Sequence, residues 1–294
     1  MNYNQLLKTS LITALALIAF AANSVLCRLA LGNGVIDASS FTAIRLFSGA
    51  IALFVILILK GKNKGELSKG SWTASFMLFT YAVTFSYAYL TVDTGTGALI
   101  LFGSVQITMI LLSLLSGTRL HMSEWAGISI AFCGFIYLIL PSLSTPSING
   151  FMLMALAGFS WAVYTLKGRS SQNPLMDTTY NFIRTIPFVV LLVTFTIDGI
   201  SYAQQGVWLA IVSGALTSGV GYTIWYYALR QLSSIQAAVI QLSVPVIAAI
   251  GGVIFVSEEL TTRLIIAAVI VLGGILLVVL GKYYFISAKL NVKT

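Results

Sequence analysis

Charged side chains are scarce in this sequence. They make up 8% of its 294 residues, whereas hydrophobic residues make up 58%. An ordinary soluble domain is about 25% charged, so this composition excludes a chain that folds in water. The apolar content is typical of a membrane protein, and the length suffices for about ten spans of roughly 20 residues each.

Cysteine and histidine are also rare. The two cysteines, Cys27 and Cys133, lie in or beside apolar runs, and the one histidine, His121, falls in a predicted loop. Two cysteines and one histidine at these positions do not indicate a disulfide framework or a metal site. We therefore expect no cofactor. The net charge of +8 is not arranged as a basic stripe interleaved with aromatic residues, so nucleic acid is not expected as a partner.

Acidic residues number eight, and all fall in predicted loops or at the ends of predicted spans. They are Asp37, Glu66, Asp93, Glu124, Asp177, Asp198, Glu258 and Glu259. Carriers driven by protons usually bury a titratable carboxylate or histidine in the transport path. We therefore expect a solute to move down its own gradient, or with a coupling that leaves no mark in the sequence.

Apolar runs and their interruptions predict ten membrane-spanning helices. They are placed at residues 6–27, 40–59, 72–91, 95–115, 124–140, 150–166, 178–197, 206–229, 235–256 and 263–280. The first run resembles a cleavable signal peptide, but a later span repeats it, and we therefore retain it as span one. The fold class is an all-α integral membrane protein with a single membrane domain over residues 1–294.

Basic residues in the loops and at the ends of the spans are divided unevenly between the two faces of this arrangement. The face that holds both termini carries twelve of them, and the other face carries only Arg28 and Arg263. The twelve are Lys8, Lys60, Lys62, Lys64, Lys69, Arg119, Lys167, Arg169, Arg230, Lys282, Lys289 and Lys293. Because cytoplasmic loops are rich in Lys and Arg, both termini are predicted to be cytoplasmic in a multi-pass plasma membrane protein, in a prokaryote the inner membrane.

An internal repeat divides the chain. With an offset of 139 residues, Gly273 falls on Gly134 without a gap, and the predicted repeats cover residues 1–141 and 150–294. Five spans per repeat is an odd number, so the second repeat must enter the bilayer from the opposite side. Two inverted five-helix repeats are common among secondary transporters, whose substrate sites lie near the middle of the membrane between the repeats.

The sequence resembles the drug/metabolite transporter superfamily, in its EamA branch of ten-span carriers. The residues that carry this likeness are Asn23, Arg28, Arg45, Pro245, Glu259, Leu260, Thr261 and Gly273. The first repeat departs from the family pattern, with Gln106 in place of a usual proline and Leu120 in place of a usual glutamate. The resemblance implies a ten-span inverted-repeat transporter of small organic solutes, a group that includes amino-acid exporters of the YddG type.

Two arginines, Arg45 and Arg184, lie well inside predicted spans and are separated by the repeat offset. A guanidinium at the bilayer centre costs roughly 2.5–3.5 kcal/mol on insertion scales, so each must face protein or water and have partners. Two roles are open for these gating or structural charges. Either they bind a substrate carboxylate at the ends of the path, or they tie the helices to loop carbonyls and neighbouring helix ends.

Pro245 lies deep within predicted span nine. Proline has no amide hydrogen and its ring crowds the carbonyl four residues earlier, which belongs to Gln241. Interrupted helices at corresponding positions of two repeats indicate a transport site, and Gln106 occupies the position of Pro245 in span four. Gln106 and Gln241 are therefore candidate substrate-binding residues beside a helix kink, although a simple packing kink explains the proline equally well.

Aromatic residues with polar tips are concentrated in spans three, six and eight. When buried, their OH and NH groups need partners, and they suit an apolar pocket with a few convergent polar contacts. Others must be packing residues. The substrate-binding candidates, with the polar Asn23 of span one, are Asn23, Tyr81, Tyr87, Trp161, Tyr164, Tyr222 and Trp225.

Glycines in spans eight to ten are expected to let helices approach closely in lipid. They are Gly214, Gly221, Gly251, Gly252, Gly273 and Gly274. None is expected to bind substrate directly.

These features predict a secondary-type transporter of small organic metabolites, with amino-acid export as the first expectation, working by alternating access through a central cavity. Its partners would be a small-molecule substrate and the lipid bilayer; the oligomeric state is open. A channel or a lipid flippase is the alternative. A membrane enzyme is less favoured, because it needs paired carboxylates, a histidine cluster or a metal set, and adjacent Glu258 and Glu259 diverge by about 100° on a helix.

Overall fold

The computed structural model describes residues 3–60, 69–115, 122–139, 146–169, 171–232 and 240–291. Over these ranges the chain forms ten helices, one 3₁₀ turn at Ile197–Gly199, and no strand. The helices are α1 (Tyr3–Gly32), α2 (Ala38–Lys60), α3 (Trp72–Ala88), α4 (Thr94–Leu115), α5 (Met122–Ile139), α6 (Ile148–Gly168), α7 (Pro174–Phe195), α8 (Gln204–Leu229), α9 (Val244–Val256) and α10 (Thr262–Asn291).

Each predicted span overlaps one helix, so the all-helical membrane fold is confirmed. Six helices of the described chain are long and apolar enough to cross a bilayer, and three shorter apolar helices accompany them. Within lipid, helices are favoured because their backbone polar groups are satisfied internally. His121, Leu120 and residues 235–239 of predicted span nine lie outside the described residues.

Side chains that cap the first turns fix where several helices begin. The hydroxyl of Ser71 accepts the Ala74 amide at 3.1 Å at the start of α3, and the hydroxyl of Ser147 accepts the Gly150 amide at 3.0 Å at the start of α6. Asn173 caps α7 in the same way. Such caps satisfy amides that have no partner within the helix, and they set the α6 start near the predicted beginning of the second repeat.

The two halves of the chain pack through matching helix pairs. Helices five places apart lie against each other, namely α2 on α7, α4 on α9 and α5 on α10. The contact of α3 with α6 is matched by that of α8 with α1, and the contact of α4 with α6 by that of α9 with α1. The interior of the bundle is therefore built from helices of both halves.

Glycines allow several of these close contacts. A methyl group on Gly214 would collide with the carbonyl of Arg45 in α2, and one on Gly274 would lie 2.7 Å from the Gly127 oxygen in α5. Side chains on Gly221, Gly251 and Gly252 would also collide with neighbours. At Gly273 no atom of the described residues lies within 4 Å of the corresponding position, so the prediction of close packing is wrong for this residue within the described part of the chain.

The loop after α1 is tied to the loop before α8. The Asp37 amide donates to the Ser201 carbonyl at 2.8 Å, and the Asp37 carboxylate accepts the Ser40 and Ser201 amides at 2.9 and 3.0 Å and the Ser39 hydroxyl at 2.6 Å. Burial raises the pKa of Asp37, but the hydrogen bonds from these three serines outweigh it, so the pKa of this carboxyl lies below its usual value. The charged form therefore stabilises the junction between the two loops.

Candidate functional site

Helix α8 contains a π-helical segment, Ser213–Val220. Such segments are rare and occur frequently at functional sites. Here the Ser213 and Thr217 hydroxyls donate to Oδ1 of Asn23 in α1, at 2.7 and 3.2 Å. Asn23 is buried, and its Nδ2 donates to the Tyr81 hydroxyl at 3.4 Å. The π segment thus forms the polar side of the bundle centre.

Arg45 of α2 is 1% exposed and reaches the same residues. Its Nε donates to the Ser218 hydroxyl at 3.0 Å, and its Nη2 donates to the hydroxyls of Tyr222 at 2.8 Å and Tyr81 at 3.4 Å. The guanidinium carbon also lies 5.3 Å from the centre of the Tyr81 ring and 5.0 Å from that of Phe85. These partners are neutral hydroxyls and aromatic faces, rather than the loop carbonyls of the structural alternative.

Trp161 of α6 closes the apolar side of this group. Its ring centre lies 4.5 Å from that of Tyr222, 5.0 Å from Tyr81 and 5.6 Å from Phe20. Tyr164, one turn away, packs on Trp161 at 5.5 Å. We call Asn23, Arg45, Tyr81, Trp161 and Tyr222 the central cluster, because helices α1, α2, α3, α6 and α8 bring them together.

A small cavity of about 10 Å³ lies against the central cluster. It is lined by Phe20, Tyr81, Phe85, Leu101, Phe102, Trp161 and Tyr222. A cavity of this volume has room for about one water molecule. The conformation described is therefore closed around its centre.

Three buried N–H groups at or beside the central cluster have no hydrogen-bond acceptor in the described part of the chain. They are Nη1 of Arg45, Nε1 of Trp161 and Nε1 of Trp225. Trp225 joins the group through Phe20, at 5.6 Å between ring centres. A buried polar group without a partner is unfavourable by roughly 1–3 kcal/mol, and most such groups in proteins do find one.

The other predicted site residues are not among the described contacts of the central cluster. Gln106 and Gln241 are buried, and Tyr87 is half-buried against the core. The chain turns at Leu242 and Ser243, and α9 begins at Val244 with Pro245 in its first turn. Proline is well tolerated there, so the helix interruption predicted at Pro245 is present.

Arg184 behaves differently from its repeat mate Arg45. It is half-buried, its Nη1 donates to the carbonyl of Lys69 in the loop before α3, and its guanidinium carbon lies 5.6 Å from the centre of the Trp72 ring. This matches the structural role that we considered for both arginines. The two repeat mates therefore have different partners.

A second polar group lies at the loop end of α1. Arg28 forms ion pairs with Asp93 and Glu258, each at 3.0 Å, and donates to the Tyr89 carbonyl at 3.1 Å. The Glu258 carboxylate also accepts the Thr94 amide at 2.9 and 3.1 Å, which caps the first turn of α4. We call Arg28, Asp93 and Glu258 the Arg28 cluster. It joins α1 to the loops that precede α4 and α10.

Next to the Arg28 cluster lies a larger cavity of about 160 Å³, lined by Asp93, Thr96, Glu258 and Glu259 among others. An apolar groove of about 670 Å³ between α4, α9 and α10 adjoins it, with Pro245 and Gly273 in its lining. Among the described residues no three or more His, Cys, Asp or Glu side chains are placed to hold a metal ion.

Sequence reasoning missed Ser213 and Thr217 as partners of Asn23, and Glu258 as the partner of Arg28. The run SGALTSGVG at residues 213–221 contains small and hydroxyl-bearing residues together, which is the one available signal for the first pair. Nothing in the sequence distinguishes Glu258 from the adjacent Glu259.

Comparison with known proteins identifies the family. The model of the EamA-like transporter family matches residues 7–140 and again residues 148–280. An uncharacterised protein of Pseudomonas aeruginosa is 46% identical over 257 residues, which cover 87% of this chain and 89% of that protein. A probable amino-acid metabolite efflux pump of Escherichia coli is 26% identical over 63% of this chain and 70% of its own.

A solved crystal structure gives the fold independently. It superposes with a TM-score of 0.62 and covers 93% of this chain and 97% of its own, at 17% sequence identity. The two family matches fall on the two predicted repeats, and together they cover most of the chain. The chain therefore belongs to the EamA-like transporter family of membrane proteins.

Proposed function

We propose that this chain is a secondary-type transporter that moves small organic metabolites by alternating access, with amino acids in the export direction as the first candidates. The observation that carries the proposal is the central cluster. It brings together an asparagine, an arginine and three polar-tipped aromatic residues from both halves of the chain, and the three aromatic residues also line the closed cavity. Pockets for small molecules combine apolar walls with a few convergent polar groups in this way.

The closed centre supports a mechanism in which the halves move. A cavity of about 10 Å³ admits no organic solute, so a solute enters only if the surrounding helices separate. The Arg28 cluster holds one end closed through α1, α4 and the loop before α10. Toward the other end, the Tyr226 hydroxyl donates to the Tyr164 carbonyl at 3.3 Å, and the Thr9 hydroxyl donates to Gln231. Opening one set of contacts at a time would give alternating access.

The inverted arrangement of residues 1–141 and 150–294 is part of the same proposal. The matching helix pairs, in which α2 meets α7, α4 meets α9 and α5 meets α10, are those expected from a two-fold axis between the halves. With the predicted cytoplasmic termini, the Arg28 cluster lies on the outer side of the plasma membrane. The central cluster then lies between the repeats, where transporters of this type place their substrates.

The choice of amino acids rests on two further observations. The Escherichia coli relative is named a probable amino-acid metabolite efflux pump, and Arg45 and Trp161 supply donors to which a carboxylate is complementary. The alternative of a lipid flippase draws on the apolar groove of about 670 Å³ beside α9. Among the described residues no charged side chain lines this groove, so the groove itself offers no ionic contact to a lipid headgroup.

The test is counterflow in proteoliposomes. Vesicles containing the purified protein and loaded with one unlabelled amino acid should accumulate the labelled form transiently, and the accumulation should saturate with concentration. Trp161→Ala should abolish it, whereas Trp208→Ala, at an exposed position of α8, should not. Unsaturable flux would indicate a channel, and scrambling of a labelled lipid without counterflow would indicate a flippase. Product formation by the protein would indicate an enzyme.

A further inference from the structure

The charge of Arg45 has no counter-ion in the described part of the chain. The described hydrogen bonds of its side chain go to the hydroxyls of Ser218, Tyr81 and Tyr222, and no described carboxylate forms an ion pair with it. Hydroxyls and aromatic faces stabilise a guanidinium but leave its charge uncompensated. Because buried charges in proteins are normally paired, the centre of the bundle is complementary to an anion.

Two unsatisfied donors lie around the same pair of tyrosines. Arg45 donates through Nη2 to the hydroxyls of Tyr81 and Tyr222, and Trp161 packs on the rings of both. Nη1 of Arg45 and Nε1 of Trp161 have no acceptor among the described residues. A carboxylate offers two acceptor oxygens, no donor and one negative charge. It therefore supplies acceptors for the two unsatisfied donors and a counter-charge for Arg45.

The central cluster offers little to a positively charged group. It contains no carboxylate, and its one amide oxygen, Oδ1 of Asn23, already accepts the Ser213 and Thr217 hydroxyls. The remaining wall, formed by Phe20, Phe102 and Trp161, is aromatic. A ligand ammonium would meet aromatic faces but no opposite charge in the cluster, and it would lie near the positive charge of Arg45.

We infer that the carboxylate of the substrate is the counter-ion of Arg45, and that the substrates are small carboxylates with an apolar or aromatic body whose affinity does not depend on an amino group. This inference rests on the proposed function and deepens it, because it names the chemical class that the central cluster binds. Amino acids belong to this class through their carboxylate, and deaminated acids of the same shape belong to it equally.

Four compounds that share a phenyl group and the same carbon skeleton separate the effect of the carboxylate from that of the ammonium group. They are L-phenylalanine, with both charges; 3-phenylpropanoate, with the carboxylate alone; L-phenylalanine amide, with the ammonium alone; and 3-phenylpropanamide, with neither. Binding to the purified full-length protein in detergent is measured by titration calorimetry at pH 7. The two carboxylates should bind with similar affinity, and each should bind about tenfold or more tightly than its amide, the fold-change that the loss of a charge-assisted hydrogen bond produces.

Substitutions test whether the preference for a carboxylate over its amide comes from Arg45. Arg45→Gln should weaken 3-phenylpropanoate about tenfold or more and leave 3-phenylpropanamide unchanged, since only the former offers a charge. Arg184→Gln, the matched change at the repeat mate, should alter neither affinity. If Arg45→Gln does not fold, Trp161→Phe provides the second test. It removes one unsatisfied donor, and it should weaken the carboxylate relative to the amide.

Several results would overturn the inference. Equal affinity for acid and amide would do so, as would carboxylate binding that survives Arg45→Gln. Binding of none of the four compounds would also reject it, while saturable counterflow of any other solute would leave the transporter itself standing. Conversely, the protein could bind carboxylates through Arg45 and yet show no counterflow for any bound compound. This result would support the binding site but contradict the proposed transport function.

Discussion

Replacing Glu258 by glutamine should shift the protein toward a conformation that is open beside α1. In the closed state the Glu258 carboxylate pairs with Arg28 Nε at 3.0 Å and accepts the Thr94 amide at the start of α4 at 2.9 and 3.1 Å. Glutamine keeps the shape of the side chain but removes its charge. The perturbation therefore weakens the contact between α1 and the loops without creating a cavity.

The free energy lost in the Glu258→Gln variant is estimated from the exposure of the ion-paired side chains. The side chains of Arg28 and Glu258 are 19% and 13% exposed, so their ion pair is worth more than a surface pair of up to about 1 kcal/mol. A carboxylate at a helix N-terminus adds about 0.3–1 kcal/mol. Asp93 is 61% exposed and adds little. A total of about 2 kcal/mol corresponds to a roughly 30-fold rise in the ratio of open to closed protein.

Cysteine labelling measures this ratio. Thr96 lines the cavity beside the Arg28 cluster and is 8% exposed, so Thr96→Cys should react slowly with a membrane-impermeant maleimide in a background without Cys27 and Cys133. Adding Glu258→Gln should accelerate labelling by about 10- to 30-fold if opening limits the reaction. The matched control is Glu259→Gln. Glu259 is exposed and the described ion pairs of Arg28 do not include it, so labelling should change less than about twofold.

Two outcomes would refute this reasoning. If labelling in the Glu258→Gln variant stays at the wild-type rate, the ion pair does not hold the closed state. If Glu259→Gln accelerates labelling as strongly, the effect comes from the general loss of negative charge near the cavity rather than from the contact with Arg28.

Three further predictions concern stability in detergent. Gly274→Ala should lower the free energy of unfolding by about 1–3 kcal/mol through overpacking against α5, whereas Gly273→Ala should not lower it; equal losses in thermal unfolding would contradict the packing described. Asn23→Leu should lower the free energy of unfolding by about 1–3 kcal/mol because the buried hydroxyls of Ser213 and Thr217 lose their acceptor. An unchanged Tm would show that these hydroxyls have a different acceptor in the variant. Asp37 has a lowered pKa, so its stabilisation is complete above the ordinary aspartate value of about 3.9 and is lost as pH falls through the lower folded value. Asp37→Asn should thus reduce the Tm at pH 7 and converge with the wild type in acid; a gap that persists in acid would exclude this linkage.

Much of the fold could be predicted because the bilayer leaves the chain few alternatives. Long apolar runs with few charges must be helices, and the ten runs correspond to the ten helices described. The candidates Asn23, Tyr81, Trp161 and Tyr222 were found for a related reason, since a polar group inside an apolar run needs a partner. The structure shows that these residues supply partners and ring contacts to one another.

The features that could not be predicted depend on how each helix is rotated about its axis and on where α8 forms its π-helical segment. Gln106, Gln241 and Tyr87 met the same chemical criteria but are not among the described contacts of the central cluster, and the sequence does not show which side chains of a helix meet the neighbouring helices. The π segment that brings Ser213 to Asn23 leaves no periodic signal. Glu258 rather than Glu259 meets Arg28, and the left-handed conformation of the preceding residue, Ser257, with φ of 58°, is not visible in the sequence either.

Alternating access through the central cavity is tested most directly at Leu101, which lines that cavity and is 2% exposed. A Leu101→Cys variant without Cys27 and Cys133 is reconstituted in one orientation and exposed to an impermeant maleimide from either side of the membrane. We predict labelling from both sides, slowed from both by a transported solute. Labelling from one side alone, in vesicles that still show saturable counterflow, would contradict a cavity that opens alternately to the two sides.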